Sequence, residues 1–334
     1  MSTDKYMQAG WFNSFGQADE VLNFGNLKKP TIKSNQVLVR LFASGVNPSD
    51  VKKRAGAFPD LLDNGAVIPN SDGAGIIEEV GSKISEDRIG ERVWVYQAQF
   101  GRRFGTAAQY VAIDTSRAVL LPENISFEIG ACLGIPVMTA HRCVFADDDV
   151  SKKTILITGG AGRVGNYAIQ WASQAGAIVI ATASNDEDKL ICENAGASVV
   201  VNHRDQHLSK AILDANKGNL VDKIIDVEFG INLDVNLDVC RIGGTIVTYS
   251  SANEPNPKLP FYKMMYKDLL LRFVIVYAMP ECAKILAIKD IETALINNKL
   301  QHRIGARYKL NQIAEANKLV EGGNVRGCVV LDTH

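Results

Sequence analysis

The sequence predicts an α/β chain of two domains, in which a β-rich unit is interrupted by a doubly wound parallel sheet. Three observations predict it. Residues 154–158, Thr-Ile-Leu-Ile-Thr, form an apolar strand that enters a glycine-rich turn and then a helical stretch to Gln174. Between residues 126 and 227 helical and strand patterns alternate, as βαβ units require. Short β-type runs separated by turn residues fill the first 120 or so residues and return after Arg303. With β-rich sequence at both ends, one domain is discontinuous, and the expected boundaries are 1–125 plus 272–334 for it and 126–271 for the inserted sheet.

The elements follow in order. Runs 37–43, 75–80, 92–96 and 108–113 are rich in β-branched and aromatic residues and lie between turn residues, so each is a strand. After Pro122 the pattern predicts a helix over 126–145, a strand at 154–158, a helix at 164–175, a strand at 178–183 and a helix at 186–195. A strand at 198–201, a helix at 206–217 and a strand at 223–227 continue the alternation. Residues 243–250 and the apolar run 269–277 supply two more strands, and Pro280 opens a helix over about 281–298. The chain closes on a strand that ends at Leu331.

Composition narrows the partners. With 46% hydrophobic and 22% charged residues and a net charge of −1, the chain reads as soluble and globular, with no basic run to attract nucleic acid. No apolar window reaches membrane-spanning length, and the amino end lacks a basic segment followed by an apolar one, so a cytoplasmic address and no membrane partner are expected. The six cysteines are scattered without a C-x-x-C pair, which leaves no disulfide framework and no zinc knuckle. His203 and His207 have a metal-ligand spacing but flank Arg204-Asp205-Gln206 in expected loop.

Gly160-Ala161-Gly162-Arg163-Val164-Gly165, between strand and helix, has the spacing a dinucleotide pyrophosphate needs. Gly160 is read as the tight turn, Gly162 as the point where backbone amides approach phosphate, and Gly165 as the close helix–strand contact. The Arg163 guanidinium suits phosphate oxygens and equally suits solvent. An NAD site places a carboxylate at the tip of the second strand, which here falls at Thr182-Ala183-Ser184. Ala183 and Ser184 leave room for a 2′-phosphate, which favours NADPH over NADH. Asp186-Glu187-Asp188 follow at once and would repel that phosphate, unless a capping box of Ser184 and Glu187 turns them toward a helix N-terminus.

Several segments together resemble the zinc-free quinone oxidoreductase, or zeta-crystallin-like, branch of the medium-chain dehydrogenase/reductases. They are Gly45-Val46-Asn47-Pro48-Ser49-Asp50, the run 68–81 from Ile68-Pro69-Asn70-Ser71-Asp72 to Gly81, Gly90-Glu91-Arg92-Val93, and Gly134-Ile135-Pro136-Val137-Met138-Thr139-Ala140. The glycine turn, Val201-Asn202-His203-Arg204 and the closing strand complete the match, which covers nearly the whole chain. The resemblance implies a GroES-like catalytic domain and a Rossmann domain, a nicotinamide cofactor without zinc or flavin, and a homodimer or homotetramer joined along 269–277. It puts Ser184, His203 and Arg204 near the adenosine phosphate, and Tyr249, Ser250, Phe273 and Val274 near the nicotinamide end, although an ordinary strand fits 273–275 as well.

Zinc dehydrogenases of the same superfamily carry Cys and His ligands where this chain has Asn47 and Asn70-Ser71-Asp72, so no tetrahedral zinc is expected. Asn47 is a candidate for orienting cofactor or substrate through its neutral amide, or a turn residue before Pro48. Lys52 stands where the family has a Tyr; it is a candidate to orient the nicotinamide ribose or, if burial lowers its pKa, to donate a proton, or else it is a solvated charge beside Lys53 and Arg54. The expected acceptor is a small quinone or other α,β-unsaturated carbonyl compound. Reduction of an enone, enal or enoyl thioester at C=C, or a non-catalytic NADPH-binding role, are the alternatives.

Overall fold

The computed structural model describes residues 5–334. In chain order it runs β1 (Tyr6–Trp11), α1 (Ala18–Val21), β2 (Asn23–Lys28), β3 (Gln36–Val46), α2 (Pro48–Arg54), β4 (Asp72–Val80), β5 (Arg92–Val95), β6 (Tyr110–Asp114), β7 (Ala118–Leu120), α3 (Phe127–Gly130) and α4 (Met138–Phe145). It continues through β8 (Thr154–Ile157), α5 (Arg163–Gln174), β9 (Ile178–Ala183), α6 (Asp186–Asn194), β10 (Val199–Asn202), α7 (Leu208–Ala215), β11 (Val221–Asp226), α8 (Phe229–Val239) and β12 (Cys240–Thr248). The last elements are α9 (Phe261–Met265), β13 (Leu270–Phe273), α10 (Glu281–Ile296), β14 (Ile304–Lys309), α11 (Ile313–Glu321) and β15 (Cys328–Asp332). By contact the chain divides into two compact units, one of the described residues up to Ile135 with Ile288–His334, the other Pro136–Ala287.

In the first unit β3 organises a seven-stranded sheet ordered β14-β15-β3-β4-β5-β7, with β6 also on β3. Its amino half pairs with β6 and its carboxyl half with β15, while β4 follows both halves with register shifts after Leu38 and Leu41. Such irregularities bend a strand and let it serve two neighbours. Val37, Val39 and Leu41 point to one face by the two-residue strand period and pack on Ile77, Val93, Val111 and Ile113.

The second unit holds six parallel strands in the order β10-β9-β8-β11-β12-β13. All four residues of β8 are buried, as expected of a strand covered on both faces. Leu156, Ile180, Ile224 and Ile246 of four successive strands share one core with Phe229 and Leu237 of α8. The strand order reverses between β8 and β11, which makes the carboxyl ends of these two strands the crevice where this topology binds ligands.

Two expectations are corrected. The helix read over 126–145 is α3, a wide turn at Leu133–Val137 and then α4. Pro136 has no N–H to continue an α-helical ladder, and the bare Gly134 lets Asp72 come so close that a Cβ there would lie 2.1 Å from Asp72 Oδ1. The apolar run 269–277 forms only the short β13, and a 3-10 turn follows at Val276–Ala278. Beside the exposed Lys52, Lys53 and Arg54 are 4% and 1% exposed, and Arg54 pairs with Glu321 at 2.8 Å. Among the described residues no helix is long and apolar enough to cross a membrane.

Candidate functional site

The glycine turn leaves β8 at the switch point. Gly159, with φ of +63°, makes the left-handed turn expected of Gly160, and a Cβ on it would stand 2.9 Å from Val227 Cγ1. Gly160 is instead required by packing, since a Cβ there would lie 2.8 Å from both Cys192 Sγ and Ile169 Cδ1. Gly165 has the expected role: a Cβ would sit 2.4 Å from the Gly159 carbonyl oxygen. Gly162 caps α5, and the only atom a Cβ would approach is the Gly159 oxygen, at 3.1 Å. Its face is therefore open.

The amides of Arg163, Val164 and Gly165 occupy the first turn of α5 and have no acceptor within the helix, while Asn166 N–H already donates to Gly162 O at 2.9 Å. No acidic side chain lies in that turn, so the positive end of the helix dipole is uncompensated. Ala161 is buried beside it and Arg163 is half-buried. A helix N-terminus of this kind suits an anion, and the residues present are compatible with a dinucleotide pyrophosphate.

At the neighbouring strand ends, β10 pairs Asn202 with Ala183 of β9, and His203 N–H donates to Ala183 O at 3.0 Å. Ser184, His203 and Arg204 are thus brought together, the last two exposed. The expected Ser184–Glu187 capping box is not formed. Asn185 is the extended residue before α6 and accepts from Asp188 N–H at 2.8 Å. The buried Asp188 carboxylate accepts from Ser184 Oγ at 2.8 Å and Asn185 Nδ2 at 3.1 Å, which turns it into the cap. Ser184 must release that bond to donate to a phosphate.

Sequence reasoning missed Asp226, on the other side of the switch point. Fully buried, it accepts from Thr158 Oγ1 at 2.6 Å, Asn232 Nδ2 at 2.8 Å and Asn236 Nδ2 at 2.5 Å, tying the end of β8 to β11 and α8. Farther along the same sheet edge Tyr249, Ser250, Phe273 and Val274 share a cavity of about 420 Å³ with Phe229. Val274 N–H donates to Thr248 O at 2.8 Å, Phe273 is largely exposed, and burial raises the Tyr249 phenol well above its ordinary pKa.

In the first unit Asn47 is buried at the N-terminus of α2, its N–H donating to Asp50 Oδ2 at 2.9 Å and its Nδ2 to Asp72 Oδ2 at 2.9 Å. Asn47 therefore precedes α2 as its cap and ties the start of that helix to Asp72. Asp72 is fully buried; Oδ2 also accepts from Ile135 N–H at 2.8 Å, while Oδ1 has no hydrogen-bond partner. Burial pushes its carboxyl well above the usual carboxylate range, with Ile135 N–H and Asn47 opposing. Asn70 Nδ2 donates to Ser44 Oγ at 2.9 Å, Ser44 is bonded to Thr106 Oγ1 at 2.8 Å, and Thr106 donates to Asp72 O at 2.6 Å. Buried Asn70 and Gln97 both adopt left-handed backbone, φ 72° and 52°, a strain that gathers at functional sites.

Lys52 is exposed. The burial that would tune a lysine falls on Lys53, whose Nζ donates to Gln99 O at 2.7 Å and lies 3.5 Å from Ser71 Oγ; burial lowers its pKa, and Asp50 and Asp72 oppose. The signal that could have found Asp72 and Lys53 was their place beside the missing zinc ligands. Asn47, Ser71 and Asp72 offer one carboxylate and neither thiolate nor imidazole, so these residues do not fit a tetrahedral zinc ion. Among the described residues no group of three or more His, Cys, Asp or Glu could hold a metal.

Residues 33–123 match the family model for the alcohol dehydrogenase GroES-like domain, and residues 164–291 the one for zinc-binding dehydrogenase. With the Rossmann strand order, these matches define an oxidoreductase of the medium-chain dehydrogenase/reductase superfamily. The chain is 34% identical to quinone oxidoreductase of Mus musculus over 264 residues, covering 76% of this chain and 77% of that protein. It is 28% identical to the NADPH-dependent alkenal/one oxidoreductase of Arabidopsis thaliana over 260 residues, 76% of this chain and 65% of that one. The quinone oxidoreductase structure from Coxiella burnetii superposes with a TM-score of 0.85 at 26% identity, over 99% of this chain and 100% of that one. The chain belongs to the zeta-crystallin-like quinone oxidoreductase family.

Proposed function

We propose that this chain is an NADPH-dependent reductase that delivers hydride to quinones or other activated carbonyl acceptors, without metal or flavin. The observation that carries the reading is the first turn of α5, whose amides have no acceptor within the helix, with no acidic side chain in that turn and no carboxylate at the tip of β9. A bound nicotinamide dinucleotide supplies a transferable hydride at its C4 atom. The amides of Arg163, Val164 and Gly165 bind the pyrophosphate. His203 and Arg204 face the 2′-phosphate at the ends of β9 and β10, where the Arg204 charge offsets that of the hydrogen-bonded Asp188. Tyr249 and Ser250 hold the nicotinamide ribose, and the backbone at Phe273 and Val274 orients the carboxamide.

On the acceptor side Asn47 orients the reacting carbonyl, its Nδ2 fixed by Asp72, and Lys52 contributes a mobile positive charge. A quinone collects its protons on oxygen from water, so it needs no positioned acid. A C=C acceptor needs a proton at carbon, and a placed acid there is worth about 10²–10⁴ in rate. The alkenal-reducing relative keeps that second reading alive. Self-association belongs to the same proposal: among the described residues β13 pairs only with β12, and its exposed Leu270 and Phe273 suit sheet extension by a second copy.

Steady-state oxidation of NADPH with 9,10-phenanthrenequinone and with 2-hexenal tests the reading. Faster turnover of the quinone supports it, faster turnover of the enal favours the second reading, and tight NADPH binding without turnover of either favours a non-catalytic role. Light scattering against the 36.3 kDa chain mass tests association.

A further inference from the structure

We propose that a basic concavity in the first unit, outside the residues assigned above, binds a small ligand that combines a phosphate group with a planar ring. The sequence has no basic run, yet the fold collects Lys28, Lys29, Lys33, Arg102 and Arg117 from separate segments around a cavity of about 740 Å³. That volume lies within the roughly 300–1,000 Å³ of small-molecule sites.

The charges in this wall are not balanced. Lys29 is answered by Glu78 at 3.6 Å and Glu79 at 3.9 Å. Asp114, the only carboxylate lining the cavity, accepts from Asn35 Nδ2 at 3.1 Å and Gln36 Nε2 at 3.3 Å. Lys28, Lys33, Arg102 and Arg117 form no ion pair among the described residues. Arg102 donates to Ala112 O, but its Nε is buried without an acceptor. Arg117 spends one nitrogen on Gln97 O at 3.0 Å. Burial, and after it the charge of Arg117, lowers the Arg102 pKa, with Asp114 opposing, so the two guanidinium groups repel each other.

Mutually repelling, partly desolvated cations cost stability unless an anion joins them. Guanidinium groups match phosphate oxygens in pairs, which selects a phosphate over a simple halide. Phe100 and Phe104, each 40% exposed, stand in the same wall and give it exposed aromatic surface for a planar group to pack against, with Arg103 lying over the Phe104 ring at 5.0 Å. Phe100 and Arg102 also line a second cavity that contains Lys53, so the segment 100–102 is a wall common to both. Lys28, Lys33 and Arg117 line the first cavity only, which makes them the clean positions to alter.

The test is calorimetric titration of the full chain with 1-naphthyl phosphate at low ionic strength, with inorganic phosphate and 1-naphthol as separate arms. The exposed pair Lys28→Gln/Lys33→Gln, and Arg117→Gln independently, should each weaken 1-naphthyl phosphate about tenfold, the loss of roughly one good charge contact. Gly162→Asp keeps a good helix cap while placing a carboxylate at the α5 turn, and it should leave that affinity unchanged. Naphthyl phosphate should bind more tightly than either part alone. The proposal is overturned if 1-naphthyl phosphate does not bind, if the cavity variants bind it as the parent does, or if Gly162→Asp abolishes binding. Equal affinity for inorganic phosphate removes the planar-ring claim.

Discussion

Two alanines in the glycine turn separate folding from cofactor binding. At Gly165 a Cβ would lie 2.4 Å from Gly159 O, 3.0 Å from Gly159 C and 3.1 Å from Gly160 Cα, all backbone atoms of the turn itself. Restoring ordinary contact moves α5 off the turn by about 1 Å, and overpacking of this kind costs about 1–3 kcal/mol. For a unit of this size that lowers Tm by about 2–12 °C. At Gly162 the backbone, φ −70° and ψ 171°, suits alanine, and the sole neighbour is Gly159 O at 3.1 Å. Its stability should stay within about 0.5 kcal/mol of the parent. The new methyl group points into the space an anion must enter to reach the amides, so Gly162→Ala should raise the NADPH Kd at least about tenfold. Thermal unfolding and fluorescence titration with NADPH measure the two effects. The reasoning is refuted if Gly162→Ala binds NADPH as the parent does, or if it loses as much Tm as Gly165→Ala.

Other outcomes follow from single groups. Arg204→Ala should weaken NADPH about tenfold and leave NADH unchanged in competition titrations, because only NADPH carries the 2′-phosphate; equal loss for both would place Arg204 elsewhere. Burial raises the folded-state pKa of Asp72, so its contribution is greatest below the unfolded pKa and is lost as pH rises through the folded one. Asp72→Asn, which can still accept from Asn47 and Ile135, should therefore be more stable than the parent at alkaline pH in urea titrations, with a flatter pH profile; an unaltered profile contradicts the buried neutral carboxyl. His302 behaves in the opposite sense: burial lowers its pKa from 6.5 to about 4, so the unfolded chain takes the proton first and stability is lost as pH falls from 6.5 toward 4. His302→Gln should remove up to about 3 kcal/mol of that acid sensitivity, read as a smaller shift in urea midpoint between pH 7 and pH 4.

What the sequence revealed was what neighbouring residues decide among themselves. The β8–turn–α5 order is local and was legible in the spacing, although the positive φ falls on Gly159 rather than on Gly160. The alternation over 154–227 carried the parallel sheet because its central strands β8, β9 and β11 are buried over nearly their whole length. The 126–145 helix failed where Pro136 and the close approach of Asp72 to Gly134 interrupt it, a contact between segments 62 residues apart. The burial of Lys53 and Asp72 was not legible in periodicity, because their partners Gln99 and Ile135 lie in distant segments. The Ser184–Glu187 box was a valid local pattern that lost to Asn185, one residue closer to the helix.

The central claim is hydride delivery from NADPH without a metal. Its most direct test is the initial rate of NADPH oxidation with 9,10-phenanthrenequinone after exhaustive dialysis against a chelator, with NADH in parallel. The account predicts full turnover with NADPH after dialysis, no gain on adding zinc, and a higher kcat/KM for NADPH than for NADH. Loss of turnover on dialysis with recovery on adding zinc, or a preference for NADH, would contradict it.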